Sequence, residues 1–163
     1  GRLPEGTTAA EGVARVAESL NRLAEPAERA GVKIALETHD DFSSSERVAT
    51  VLAQVPSRAV GALWDTHHPY RMGEPLPTVW TRLADRLIHV HVKDARRLDG
   101  DRWQLVLLGE GEVPVREIVR ALNLRGYGGW VAVEWEKKWH PEIPDPETAL
   151  PQHLAQLRAY LTE

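Results

Sequence analysis

The strongest constraint on the fold is a recurring pattern of four short apolar segments, each of which ends in a side chain that can bind a metal ion. Stretches with apolar residues at helical spacing separate these segments. Alternation of strands and helices is typical of parallel βα units, whose apolar strands are covered on both faces or closed into a barrel. We therefore predict one α/β domain over residues 1–163, with strands at 32–37, 59–65, 87–92 and 130–134.

A helix is predicted before the first strand. Thr8 and Glu11 fit a capping box at its start, and Gly31 fits a C-terminal stop. Pro26 is expected to kink or split this helix, because proline removes a backbone hydrogen bond. The other predictions are helices from the serines at 43–45, over 77–84, over 115–124 and from Pro151, and a hairpin turn at Asp99-Gly100.

The four segments bring four potential metal ligands to one face. In parallel βα architectures, the carboxyl ends of all strands lie at the same face of the sheet. Three carboxylates and an imidazole that converge there would repel and lose hydration, and a divalent cation removes that cost. Oxygen ligands with one imidazole suit Mn²⁺, Mg²⁺, Co²⁺ or Zn²⁺. The predicted ligands of one such ion are Glu37, Asp65, His91 and Glu134.

Each of these residues also has an ordinary alternative role. Glu37 fits a solvated loop residue or a helix cap, and Asp65 fits the cap of a turn. His91 fits a hydrogen-bonded residue within the sheet, and Glu134 fits an ion pair with one of the lysines that follow it. Four such alternatives at one face of one sheet are less economical than a shared site, so the metal site is the hypothesis that we favour.

Composition narrows the classes of function. The chain has no cysteine, which excludes disulfides and thiolate ligands, and a formal net charge of −4 gives no general attraction to nucleic acid or anionic membranes. No apolar run approaches the roughly 20 residues of a membrane span, and we expect a cytoplasmic protein. Its 163 residues are fewer than the roughly 250 of a complete (β/α)₈ barrel.

Five short motifs resemble those of the xylose-isomerase-like TIM-barrel superfamily, and within it the sugar-phosphate isomerase/epimerase group. The resemblance extends over nearly the whole chain, and the third motif followed by the fourth is its most specific part. The motifs are ALETH at 35–39, WDTHH at 64–68, HVHVKD at 89–94, LGEG at 108–111 and VEWE at 133–136.

This resemblance implies roles for individual residues. It identifies the same four side chains as ligands of one divalent cation, and Glu37 and Glu134 as the groups that also move the proton. It implies that His68 and Arg97 contact the substrate. Arg96 is directly adjacent to Arg97 and is the alternative arginine for this role. His39 either faces the same cavity or is a loop histidine.

The resemblance also implies a fold and a reaction. The chain would form strands five to eight, the C-terminal half of a (β/α)₈ barrel, and we expect self-association or a partner that supplies the N-terminal half. The implied activity is metal-dependent isomerisation or epimerisation of a sugar or sugar phosphate through a metal-stabilised enediolate. Three alternatives remain: an apurinic-site endonuclease with three zinc ions, a dehydratase, and a non-catalytic half-barrel that binds metal and associates.

Overall fold

The computed structural model describes residues 1–162. The chain divides into two compact units, residues 1–90 and the residues from His91 onward. No helix within the described residues is both long enough and apolar enough to cross a membrane. The helices and strands are, in order, α1 Ala9–Ala30, β1 Ile34–Glu37, α2 Ser45–Leu52, β2 Val60–Asp65, α3 His67–Arg71, α4 Leu76–Leu83, β3 Leu87–Val92, β4 Asp94–Arg97, β5 Trp103–Val106, α5 Val115–Leu124, β6 Trp130–Val133 and α6 Pro146–Thr162.

The first unit begins with the predicted capped helix. Thr8 accepts the Glu11 N–H and donates its own N–H to the Glu11 carboxylate, and Gly31 adopts φ +66° at the other end of α1. The apolar stripe of α1 recurs every three or four residues, so one face is buried. The buried side chains of this stripe are Val13, Ala17, Leu20, Ala24 and Ala27.

Pro26 does not split α1, so of the two predicted effects of this proline, a kink or a split, the split is wrong. The helix continues from Ala9 to Ala30 through Pro26. Pro26 itself is exposed, whereas Ala24 and Ala27 on either side of it are buried. Burial of the stripe beyond the proline therefore offsets the one hydrogen bond that proline cannot make.

Parallel pairing joins β1 and β2, with Ile34 opposite Val60 and Glu37 opposite Leu63. The hydrogen-bonded order of the four-stranded sheet is β1-β2-β3-β6, and β3 runs through the boundary between the two units. The predicted serine cap is confirmed, since the Ser44 hydroxyl accepts the Glu46 N–H at the start of α2. The short helix α3 directly after β2 was not predicted.

The second unit contains the predicted hairpin, in which β4 and β5 pair antiparallel around Gly100. Its last helix starts earlier than predicted. α6 begins at Pro146, and Pro151 lies inside it. The Asp145 carbonyl accepts the N–H groups of Thr148 and Ala149, which starts the first turn, and proline is tolerated at a first helical position.

Candidate metal centre

Threonine 38 joins the carboxyl ends of β1 and β2. Its N–H donates to the Leu63 carbonyl, and its hydroxyl donates to the Asp65 carbonyl and accepts the Asp65 N–H at 3.0 Å. Thr38 is fully buried. The ends of the two strands are therefore held in register, with Glu37 directly before this threonine and Asp65 bonded to it.

Asp65 caps the short helix α3 that follows it. Its Oδ1 accepts the N–H groups of His67 at 2.9 Å and His68 at 3.3 Å, and its Oδ2 lies 3.8 Å from His68 Nε2. The side chain is fully buried. The predicted capping role and the predicted metal role are therefore compatible, because the cap uses Oδ1 and fixes the direction of Oδ2.

The two histidines that were predicted to contact substrate lie side by side in the first unit. The rings of His39 and His68 have centroids 4.6 Å apart and meet edge to face. His39 Nδ1 is 3.1 Å from an Asp40 carboxylate oxygen, and Asp40 has φ +47°. A non-glycine residue with positive φ is uncommon, so the backbone directly after His39 adopts a conformation that most side chains avoid.

His91 and Glu134 meet in the second unit. The Glu134 N–H donates to the Val92 carbonyl at 3.1 Å, which continues the pairing of β3 with β6 by one residue. His91 Nδ1 lies 3.7 Å from Glu134 Oε2. Glu134 pairs with Lys93 instead of with a lysine that follows it, since Lys137 pairs with Asp145 and Lys138 lies over the Trp139 ring.

The four predicted ligands lie two in each unit. Glu37 ends β1 and Asp65 ends β2 in the first unit, whereas His91 lies near the end of β3 and Glu134 directly follows β6 in the second. That these four side chains bind one ion stays a prediction. The donor set of three carboxylates and one imidazole fits Mn²⁺, Mg²⁺, Co²⁺ or Zn²⁺.

Lys93 is a buried residue of this region to which the sequence analysis gave no role. Its ammonium lies 2.6 Å from Glu134 Oε2 and 2.5 Å from a Glu136 oxygen, and its side chain is 1% exposed. Lys93 follows His91 by two residues in the HVHVKD motif. That motif is the signal that could have pointed to it.

Asp94, the last residue of the same motif, organises the glycine-rich loop. Its Oδ2 accepts the N–H groups of Gly109 and Gly111, and its Oδ1 accepts those of Ala95 and Val113. Burial raises the pKa of Asp94 above its ordinary value, and the four N–H bonds oppose that change. The Asp94 carboxylate therefore accepts both glycine N–H groups and holds the loop in a tight turn.

Arg97, the third residue predicted to contact substrate, lies at the end of β4 in the hairpin. Its side chain is 56% exposed and is 3.5 Å from an Asp101 oxygen. Its guanidinium also lies over the Trp103 ring at 5.8 Å. Arg97 therefore has local partners within the hairpin, and its contact with substrate stays a prediction.

Comparison with known proteins agrees with the fold. The alternation of strands and helices, with acidic and histidine side chains at the strand ends, defines an α/β protein of the TIM-barrel type. A family model described as a xylose isomerase-like TIM barrel matches residues 1–160, so the chain belongs to that family. This confirms the family and fold that the sequence motifs implied.

Individual relatives show how far the similarity extends. Fructoselysine 3-epimerase of Escherichia coli O157:H7 is 34% identical over 154 residues, which cover 91% of this chain and 54% of that protein. Inosose dehydratase of Bacillus licheniformis is 31% identical over 164 residues, which cover 90% of this chain and 52% of that protein. The chain thus spans about half the length of these curated relatives.

A solved structure shows the same fold. The crystal structure of the IOLI protein with a zinc atom superimposes with a TM-score of 0.80 at 20% identity. The match covers 97% of this chain and 59% of that one.

Proposed function

We propose that Glu37, Asp65, His91 and Glu134 bind one divalent cation, and that the chain contributes this site to an enzyme that epimerises or isomerises a sugar. The observation that carries the proposal is that each unit brings two of these residues together at strand ends: Thr38 links the end of β1 to Asp65, and His91 Nδ1 lies 3.7 Å from Glu134 Oε2. The 34% identity to a fructoselysine 3-epimerase supports a ketose as the substrate class. When bound, the ion acts as a Lewis acid toward the negative charge that develops on substrate oxygen.

The two glutamates supply the proton chemistry in this proposal. Glu37 ends β1 and Glu134 directly follows β6. These two strands are the first and last in the order of the sheet. An ionised carboxylate on one side removes the proton from the carbon beside the carbonyl. A protonated carboxyl on the other side returns a proton to the opposite face, which inverts the configuration. If one carboxylate performs both steps between neighbouring carbons, the outcome is isomerisation.

Substrate orientation is assigned to the neighbouring polar side chains. His68 and His39 lie beside the Asp65 ligand and offer ring nitrogens to sugar hydroxyl groups. Arg97 is proposed as a further hydrogen-bond donor from the hairpin. We also retain the prediction that a second copy or a further barrel segment completes the pocket, because four strands are half of the eight in a (β/α)₈ barrel.

Dehydration is the second candidate reaction, supported by the 31% identity to an inosose dehydratase. Its first step is the same removal of a proton beside a carbonyl, after which a neighbouring hydroxyl group leaves as water. The nuclease alternative is less well supported, since a formal net charge of −4 gives no general attraction to nucleic acid.

Solvent exchange tests the proposal. The chain is incubated with Mn²⁺ in D₂O with a panel of ketohexoses, a fructosyl-amine and an inosose, and deuterium at the carbon beside the carbonyl is followed by NMR. Deuterium with inverted configuration indicates epimerisation, and loss of water indicates dehydration. Glu37→Gln and Glu134→Gln are each expected to slow exchange by about 10²-fold or more, whereas the exposed control Glu110→Gln leaves it unchanged.

Two outcomes contradict the proposal. Exchange that is equally fast in Glu134→Gln and in the original chain removes Glu134 from proton transfer. Absence of exchange with every member of the panel, in a chain shown to bind Mn²⁺, rejects the reaction while leaving the metal site in place.

A further inference from the structure

A buried ammonium group lies against one carboxylate of the proposed metal site. The Lys93 side chain is 1% exposed, and its Nζ contacts Glu134 Oε2 at 2.6 Å. The same oxygen lies 3.7 Å from His91 Nδ1. Lys93 and His91 therefore approach the same oxygen of Glu134 from two positions of one chain segment.

Two carboxylates hold the buried ammonium group of Lys93 in place. A lysine is almost never fully buried unless it is paired, because the loss of hydration is costly. The second carboxylate, Glu136, holds the ammonium from another side at 2.5 Å. Glu134 and Glu136 are two residues apart in the segment that follows β6, and both contact the one ammonium group. Lys93 is thus fixed at Glu134, and it restricts the rotation of the Glu134 carboxylate in turn.

We propose that Lys93 is a positioning residue that acts through Glu134. By holding Oε2, it orients the Glu134 carboxylate for the divalent ion before the ion arrives. This inference rests on the proposed metal site and adds a residue to it. Outer partners that orient a ligating side chain typically contribute about 10- to 100-fold to metal affinity or activity.

Titration with Mn²⁺ tests this role without depending on catalysis. Isothermal titration calorimetry is carried out on the original chain and on Lys93→Met, with exposed Lys138→Met as the matched control. The expected result is an Mn²⁺ dissociation constant about 10- to 100-fold higher in Lys93→Met and unchanged in Lys138→Met. The electron paramagnetic resonance spectrum of bound Mn²⁺, which reports the symmetry of the ligands, changes only in the first variant.

A double-mutant cycle separates positioning from a general structural role. If Lys93 acts through Glu134, then adding Lys93→Met to a Glu134→Gln background changes the dissociation constant by less than about 3-fold. Circular dichroism verifies that each variant is folded. Where Lys93→Met does not fold, Lys93→Gln takes its place, since a neutral amide can still donate to Glu134, and about 3- to 10-fold weaker binding is expected.

The outcomes are distinguishable. Binding of Mn²⁺ by the original chain together with unchanged binding in the Lys93 variants overturns the inference and leaves the metal site intact. An equal loss of affinity in the presence and absence of the Glu134 carboxylate also overturns it, because Lys93 would then act by another route. A complete lack of Mn²⁺ binding by the original chain overturns both this inference and the proposed function.

Discussion

The carboxylate of Asp94 accepts the N–H of Gly111 at 2.9 Å, across 17 residues of sequence. A Cβ atom on residue 111 would lie 2.2 Å from Asp94 Oδ1 and 2.5 Å from the Ala95 carbonyl oxygen. The loop approaches β4 so closely that only glycine fits there. The LGEG motif is therefore a requirement of this contact, which ties the loop to the strand that follows His91.

Gly111→Ala is expected to destabilise the chain because the added methyl group collides with the carboxylate and the backbone. We expect the free energy of unfolding to fall by about 2–4 kcal/mol, measured by urea denaturation. Gly128→Ala is the matched control, since no atom lies within 4 Å of a Cβ at that position. A loss in Gly111→Ala no greater than in the control would contradict the close approach.

Acid is expected to weaken the second unit through His153. This histidine is 1% exposed, its Nδ1 accepts the Leu108 N–H at 3.4 Å, and its ring meets that of Trp135 edge to face. Burial lowers the pKa of His153, so the folded chain favours the neutral ring. The stabilisation is fully present above the unfolded pKa of about 6.5 and is lost as the pH falls below that value toward the lowered native pKa.

Denaturation at pH 7.5, 6.0 and 5.0 measures this dependence. His153→Gln keeps an acceptor for the Leu108 N–H but cannot titrate, so its stability should decrease less steeply with acid than that of the original chain. Identical slopes in the two proteins would show that protonation of His153 is not coupled to unfolding.

Replacement of Arg86 by lysine is expected to destabilise the folded chain. Its guanidinium donates to the carbonyl groups of Leu52, Val55, Ser57 and Val60 at 2.6–3.3 Å, and so satisfies the end of α2 and the start of β2. A single ammonium cannot reach four carbonyls, and Arg86→Lys should cost about 1–3 kcal/mol in a urea melt. Arg58→Lys is the control, because the exposed Arg58–Asp85 pair should contribute less than about 1 kcal/mol. Equal losses in both variants would refute the bridging role.

Divalent ions are expected to raise the apparent melting temperature. A ligand that binds only the folded state adds about 2.7 kcal/mol at 100 times its dissociation constant. Asp65→Asn keeps the oxygen that caps α3 but removes a proposed ligand charge, so Mn²⁺ should stabilise it much less. The measurement is a melt with Mn²⁺ against one with EDTA. Stabilisation of equal size in both proteins would place the ion elsewhere.

Local patterns in the sequence predicted several of the strands and helices. The strand at 87–92 and the helix at 115–124 match the observed β3 and α5, because period-2 and period-3.6 spacing of apolar residues is a property of the segment itself. The shared metal site stays a prediction, which rests on the rule that parallel strands deliver their carboxyl ends to one face. The predicted start of α6 at Pro151 was wrong. A favourable position for proline was given more weight than the residues before it, and the helix begins at Pro146.

Contacts between distant segments were decided only by the tertiary structure. Lys93 meets Glu134 across 41 residues, and Arg86 meets Leu52 across 34. Neither partner carries a local signal for the other, because a buried charge is satisfied by whichever groups the fold brings to it. The sequence by itself thus determined which residues stand at the ends of the strands. The packed fold determined which polar side chains hold those residues in place, since that depends on distances that no local spacing encodes.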